Sequence, residues 1–234
     1  MAIYLLIHGA ATDAWYWNPL ADRLHERGHD VVAPDLPCDD ETANLGAYAD
    51  VAAGAIGDLG GDTQVVVVAH SFGGFIAPLL CSRIRVDLLV LLHAQVPSPG
   101  ETPGEWWTAS GYGAARQQQD DADATAGLPA ADEDLIAFAL HDTPRHLAEQ
   151  MLTHQKDQAG KPFDEPWPLP AWPDVHTRVL LARGDRFFPV DFLHRQVAER
   201  LSIEAEHMPG DHHPMLGHPD QLAERLETYR LALD

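Results

Sequence analysis

The sequence predicts an α/β fold: a mostly parallel sheet flanked by helices on both faces, carrying an inserted, largely helical cap. Short apolar runs bounded by turn residues recur along the chain, as strands buried on both faces do. Helix-period segments lie between them, the alternation that builds a parallel sheet through right-handed crossovers. The alternation then stops across residues 97–173, where proline, glycine and four tryptophans crowd. A chain of 234 residues suits one domain with one large insertion, and it is long enough to bury a core without metal or disulfide.

The first strand is expected at 3–7, followed by a helix over 15–27 that Gly28 closes. A weaker strand at 30–33 and a helix over 44–59, closed by Gly60, come next. Val65-Val66-Val67-Val68 marks the strand 64–69, and the helix 72–84 after it contains Pro78, which should kink or unwind it. The strand 86–92 ends the first core segment, 1–96. Within the cap, apolar spacing predicts short helices at 135–140 and 146–153, while 117–123 is a polar run. The second core segment, 174–234, supplies a strand at 178–182, a helix at 190–200, a weaker strand at 203–207 and a helix at 220–233.

Thirty-six acidic against 15 basic residues give a net charge of −21, which disfavours polyanionic partners; no nucleic acid and no membrane surface is expected to bind. No apolar stretch reaches the roughly 20 residues of a membrane span. Residues 1–7 have neither the basic start nor the apolar length of an export signal, and Cys38 and Cys81 are too few for a disulfide framework. A cytoplasmic setting with free thiols is the simplest expectation.

Candidate chemistry lies where strands end. In Ala69-His70-Ser71-Phe72-Gly73 a serine stands between small residues at a strand-to-helix turn. A serine projected from so sharp a turn tolerates little bulk two positions away, and the helix N-terminus beside it stabilises negative charge. The string alone also describes an ordinary tight turn; its place after four valines gives it weight. His8-Gly9-Ala10-Ala11 follows the first strand, where the amides of Ala10 and Phe72 can aim at one oxygen as an oxyanion hole. His8 reads as a buried loop-former. Asp185 follows the strand 178–182, and His212-His213 follows the weaker strand, both at the sheet edge where sites form. The histidines and Asp211 near the C-terminus lack metal-ligand spacing and sit among Pro209, Gly210 and Pro214, so no metal and no cofactor is expected.

With its serine, acid and histidine in that order, the chain resembles the α/β-hydrolase superfamily. His8-Gly9-Ala10, Trp15-Tyr16-Trp17, Asp211-His212 and Met215-Leu216 are similar to the plant methylesterase and hydroxynitrile lyase group. The resemblance spans both core segments and finds no counterpart in the cap. Ala69 departs from the glycine of the usual motif. The resemblance implies Ser71 as nucleophile, His212 rather than His213 as base, and Asp185 as its orienting acid. It also implies hydrolysis of a carboxylic ester or related acyl substrate through an acyl-enzyme, a small molecule being the only partner. Lyases of the group carry Thr where Gly9 stands and Lys where His213 stands, which argues against cyanohydrin cleavage. Thioesterase and C–C hydrolase chemistry use the same triad, and a non-catalytic ligand-binding role is the reading from another class. His93, Trp106 and Trp107 are expected to line the substrate pocket, with cap core the competing use for the tryptophans and loop polarity for His93.

Overall fold

The structure is a computed structural model that describes residues 1–57, 63–130 and 134–233. Six strands form one wholly parallel sheet. In chain order they are β1 (Ala2–Ile7), β2 (Asp30–Val32), β3 (Gln64–His70), β4 (Leu88–Leu92), β5 (Thr177–Ala182) and β6 (Glu206–Met208). Their spatial order is β2-β1-β3-β4-β5-β6. Alternate residues feed two cores: Leu5, Val67 and Leu91 pack on one face, and Tyr4, Leu6, Val68 and Val90 on the other. All are buried, which is why the strands read as continuous apolar runs.

The core helices are α1 (Asn18–Glu26), α2 (Leu45–Ala55) and α3 (Gly73–Leu80) in the first segment. Between β4 and β5 come α4 (Pro103–Ala109), α5 (Tyr112–Thr125), α6 (Leu135–Ala139), α7 (Arg145–Thr153) and α8 (Lys161–Asp164). Then follow α9 (Val190–Leu201), α10 (Pro214–Gly217) and α11 (Pro219–Leu231).

Several boundaries differ from the sequence expectation. The helix expected over 15–27 divides, because the Asp13 carboxylate caps a 3-10 turn at Ala14–Trp17 and Pro19 restarts the chain as α1. Among the described residues α2 is closed by Gly57 at φ +66°; Gly60 lies outside them. Helix α3 ends at Leu80, two residues after Pro78, rather than at 84. The last strand begins at Glu206, since left-handed Ser202 ends α9 and residues 203–205 make the return. Within the insertion, α6 and α7 match the helices that apolar spacing predicts, whereas α4, α5 and α8 fall where it predicts none. The polar run 117–123 lies inside α5, where Arg116–Asp120, Gln117–Asp121 and Gln119–Asp123 pair at helical spacing in place of an apolar stripe.

Polar links tie the insertion to the core at several places. Trp106 Nε1 donates to the Val96 carbonyl, Trp167 Nε1 donates to the Phe75 carbonyl, and a largely buried Arg200 pairs with Glu101. None of the described helices is long and apolar enough to cross a membrane, and both cysteines are unpaired.

Candidate active site

Ser71 stands between β3 and α3 with φ +52°, a left-handed backbone that costs on the order of 1–3 kcal/mol for a residue with a side chain. The turn is held by the amides of Gly74 and Gln95, which donate to the Ser71 carbonyl at 3.1 and 3.0 Å. Close packing explains the glycines after the serine. A Cβ on Gly73 would stand 2.9 Å from the Ile7 carbonyl oxygen, and one on Gly74 only 1.9 Å from the Gln95 carbonyl oxygen. Gly9 faces the serine from the β1 loop, where a Cβ would come 3.0 Å from Ser71 Cβ.

Asp185 and His212 arrive from the turns after β5 and β6. His212 Nδ1 lies 2.8 Å from Asp185 Oδ2. Asp185 Oδ1 accepts from the Phe187 and Phe188 amides at 2.8 and 2.9 Å. Burial alone would raise this carboxyl's pKa; the charge and hydrogen bond of His212, then His93, outweigh it and hold Asp185 well below the ordinary carboxylate range. An ionised carboxylate only accepts, so His212 carries its proton on Nδ1 and keeps Nε2 as an acceptor. The adjacent His213 also lines the cavity, but its Nδ1 lies 3.3 Å from the Ala139 carbonyl oxygen rather than at Asp185. Burial first, and His212 second, push its pKa down to about 3, so it is neutral.

A buried chain of hydrogen bonds joins the three loops. The Gly9 amide donates to the Tyr16 hydroxyl at 2.7 Å, the hydroxyl lies 3.0 Å from His70 Nδ1, and His70 Nε2 lies 2.8 Å from the His212 carbonyl oxygen. Because a carbonyl only accepts, His70 bears its proton on Nε2 and accepts the Tyr16 hydroxyl proton on Nδ1. Burial, reinforced by neighbouring histidines, holds the His70 pKa well below its usual value. Asp211 anchors the same loop: its carboxylate accepts from the His213 amide at 2.8 Å, the Asp142 amide at 2.9 Å and the Thr143 hydroxyl at 3.0 Å. Sequence reading gave Tyr16 and Asp211 no role beyond a family resemblance, and it gave His70 none.

Ser71, His212, Ala10 and Phe72 share the wall of a cavity of about 280 Å³, closed from the insertion side by Trp107 and Leu140. Among the described residues neither the Ala10 nor the Phe72 amide donates to a protein acceptor. No hydrogen bond joins the Ser71 hydroxyl to the His212 ring among them. Trp107 lines this cavity; Trp106 and His93, also expected at the substrate pocket, do not. Trp106 is wholly buried against Phe188 and Phe192, a core residue spent on seating the insertion. His93, left-handed at φ +46°, lies behind the acid. Its Nδ1 is 2.9 Å from Asp185 Oδ2, off the line of a straight hydrogen bond, and its Nε2 accepts from the Ala182 amide. His8, also buried, accepts the Leu36 amide and shapes its loop. A larger open cleft of about 700 Å³, lined by Arg183, Arg186 and Arg195, lies beyond the Asp185 loop and contains neither Ser71 nor His212. The remaining histidines of the C-terminal stretch find separate partners, His207 stacking on His194 and His218 pairing with Asp142.

A parallel sheet with a strained serine after β3 and an Asp–His pair on later strand ends defines a hydrolase architecture. The chain belongs to the alpha/beta hydrolase family, which it matches over residues 4–225. It is similar to norfluorocurarine synthase 1 of Strychnos nux-vomica, 25% identical over 250 residues that cover 96% of this chain and 93% of that one. Methylesterase 7 of Arabidopsis thaliana is 31% identical over 110 residues, 43% of this chain and 42% of that one. The crystal structure of polyneuridine aldehyde esterase superposes with a TM-score of 0.78 at 18% identity, covering 98% of this chain and 99% of that one, and so shares the fold.

Proposed function

We propose that the protein is a serine hydrolase that cleaves a carboxylic ester through an acyl-enzyme, with Ser71 as nucleophile, His212 as base and Asp185 as orienting acid. The observation that carries this reading is the 2.8 Å His212–Asp185 contact, which leaves Nε2 of the ring free on the same cavity wall as Ser71. Relatives named as esterases and methylesterases support the ester class. In the first step His212 Nε2 takes the Ser71 hydroxyl proton as the oxygen bonds to the ester carbonyl carbon. The Ala10 and Phe72 amides receive the negative oxygen, each donor being worth about 3 kcal/mol in the transition state. The tetrahedral species collapses as His212 returns the proton to the departing alcohol. Water, activated by the same ring, then releases the acid and restores the serine. The Ser71–His212 hydrogen bond forms as substrate fills the cavity, since such bonds commonly tighten only in the Michaelis complex.

No cofactor enters this scheme, and the partner is a small neutral molecule. Residues 97–173 act as a cap that shapes the cavity over a core of 1–96 and 174–234. Free Cys38 and Cys81 fit a reducing cytoplasm. A fluorophosphonate probe should label wild-type protein at Ser71 and leave Ser71→Ala unlabelled. Unlabelled, folded wild type would overturn the serine mechanism. Release rates from matched esters and thioesters then fix the acyl class.

A further inference from the structure

The catalytic cavity has a largely apolar wall that carries, among the described residues, a carboxamide the protein leaves unused. Gln95 follows β4, is 1% exposed and lines the cavity. Its Nε2 is sealed from bulk solvent and has no hydrogen-bond partner. Neither end of the carboxamide bonds to protein among the described residues. An amide buried without a partner carries a desolvation penalty that a fold does not accept without return.

The backbone of Gln95 is pinned with unusual closeness to the nucleophile. Its amide donates to the Ser71 carbonyl at 3.0 Å, and its own carbonyl lies against Gly74, leaving no room there for a Cβ. The Gln95 backbone is therefore held beside the Ser71 turn, and its side chain starts from there into the cavity wall. Thr12 Oγ1, on the loop after β1, is a second buried, unpartnered polar atom on the same wall. Among the described residues no Asp, Glu, Lys or Arg lines the cavity, which favours an uncharged group.

We infer that Gln95 is a specificity-determining residue, and that the substrate is a small neutral ester bearing a hydroxyl or carbonyl group near the scissile bond, hydrogen-bonded by the Gln95 carboxamide. The inference rests on the ester-hydrolase reading and names its substrate class. A carboxamide donates and accepts, so both groups satisfy it. The cavity's volume of about 280 Å³ lies at the lower edge of the usual ligand range of roughly 300–1,000 Å³, which favours a compact substrate.

Three methyl esters of one chain length test this: methyl butyrate, methyl 3-hydroxybutyrate and methyl acetoacetate, followed by acid release in a pH-stat. In wild type the hydroxy or the keto ester should have the higher kcat/KM relative to butyrate, and whichever does identifies the group. Gln95→Met keeps the length of the side chain and removes the carboxamide. It should lower that ratio about tenfold, while the melting temperature holds or rises because an unpaired buried amide has gone. A ratio that stays within threefold of wild type overturns the inference. Binding of the same esters to Ser71→Ala, read by tryptophan fluorescence, separates the two readings. Selective binding of the polar ester that Gln95→Met abolishes sustains the role of Gln95 even where wild type hydrolyses none of the three. Hydrolysis of all three without polar preference defeats the Gln95 inference and leaves the ester-hydrolase reading standing.

Discussion

The strand-end loops of the sheet and the helical insertion meet at one cavity, and they are built by different rules. Every candidate catalytic group comes from the loops after β1, β3, β5 and β6, fixed by buried hydrogen bonds whose donors and acceptors are assigned by chemistry. The insertion contributes Trp107, Leu135, Leu140, Met151 and Phe163, side chains that fill space. The two regions therefore fail differently when altered. On the proposed reading a triad residue controls whether the reaction proceeds, while an insertion residue, with Gln95, controls which molecule is accepted.

That contrast is broken most severely at the triad. Ser71→Ala and His212→Ala should each lower kcat for ester hydrolysis by about 10⁴-fold or more, whereas His213→Ala, bonded toward Ala139, should fall far less. Equal losses at the two histidines in steady-state assays would remove the distinction between them. Asp185→Asn should cost about 10³- to 10⁴-fold in kcat with the folded circular dichroism retained, because the wrong imidazole tautomer is then favoured. On the insertion side, Trp107→Ala should raise KM roughly three- to tenfold and leave kcat within twofold; a kcat collapse would make the insertion part of the chemistry. Asp211 is one link between the regions. Asp211→Asn weakens its contacts with Asp142, Thr143 and His213, and thermal melts should show a loss of about 1–3 kcal/mol.

A separate effect concerns pH. His213 has an ordinary pKa of 6.5 and is held near 3 when folded, so below 6.5 the unfolded chain takes up a proton that the native one refuses. Its contribution to stability is complete above about pH 6.5 and is lost as pH falls toward 3. Melting temperatures measured between pH 7.5 and 4 should decline, and His213→Gln should flatten that decline.

The two regions also differ in how far the sequence discloses them. Strands β1, β3, β4 and β5 were legible because burial on both faces leaves an uninterrupted apolar run, and Ser71 and Asp185 stood out because each follows such a run at a turn; His212 follows the short, half-polar β6 and was separated from His213 by the family resemblance. The insertion was less legible, since α5 is held by polar pairs along its own surface and presents no apolar period. Its neighbour α4 did carry a signal: Thr102-Pro103-Gly104-Glu105 forms a capping box with proline at the first turn, readable from the residues alone. His93 could not be placed by pattern, because its contact with Asp185 spans 92 positions and depends on the β4–β5 pairing. Trp106 and Trp107 are neighbours with opposite fates, and only the direction of the α4 axis decides which one faces the cavity.

One carboxylate binds two functions into a single corner. The oxygen of Asp185 that does not touch the imidazole gathers the amides of Phe187 and Phe188, and the Phe187 ring rests 4.9 Å from that of His212 on the cavity wall. Orientation of the His212 ring and the contour presented to a bound molecule are consequently inherited together. A lineage exploring new substrates has freedom to remodel the opposite bank, while this bank changes only at the expense of turnover.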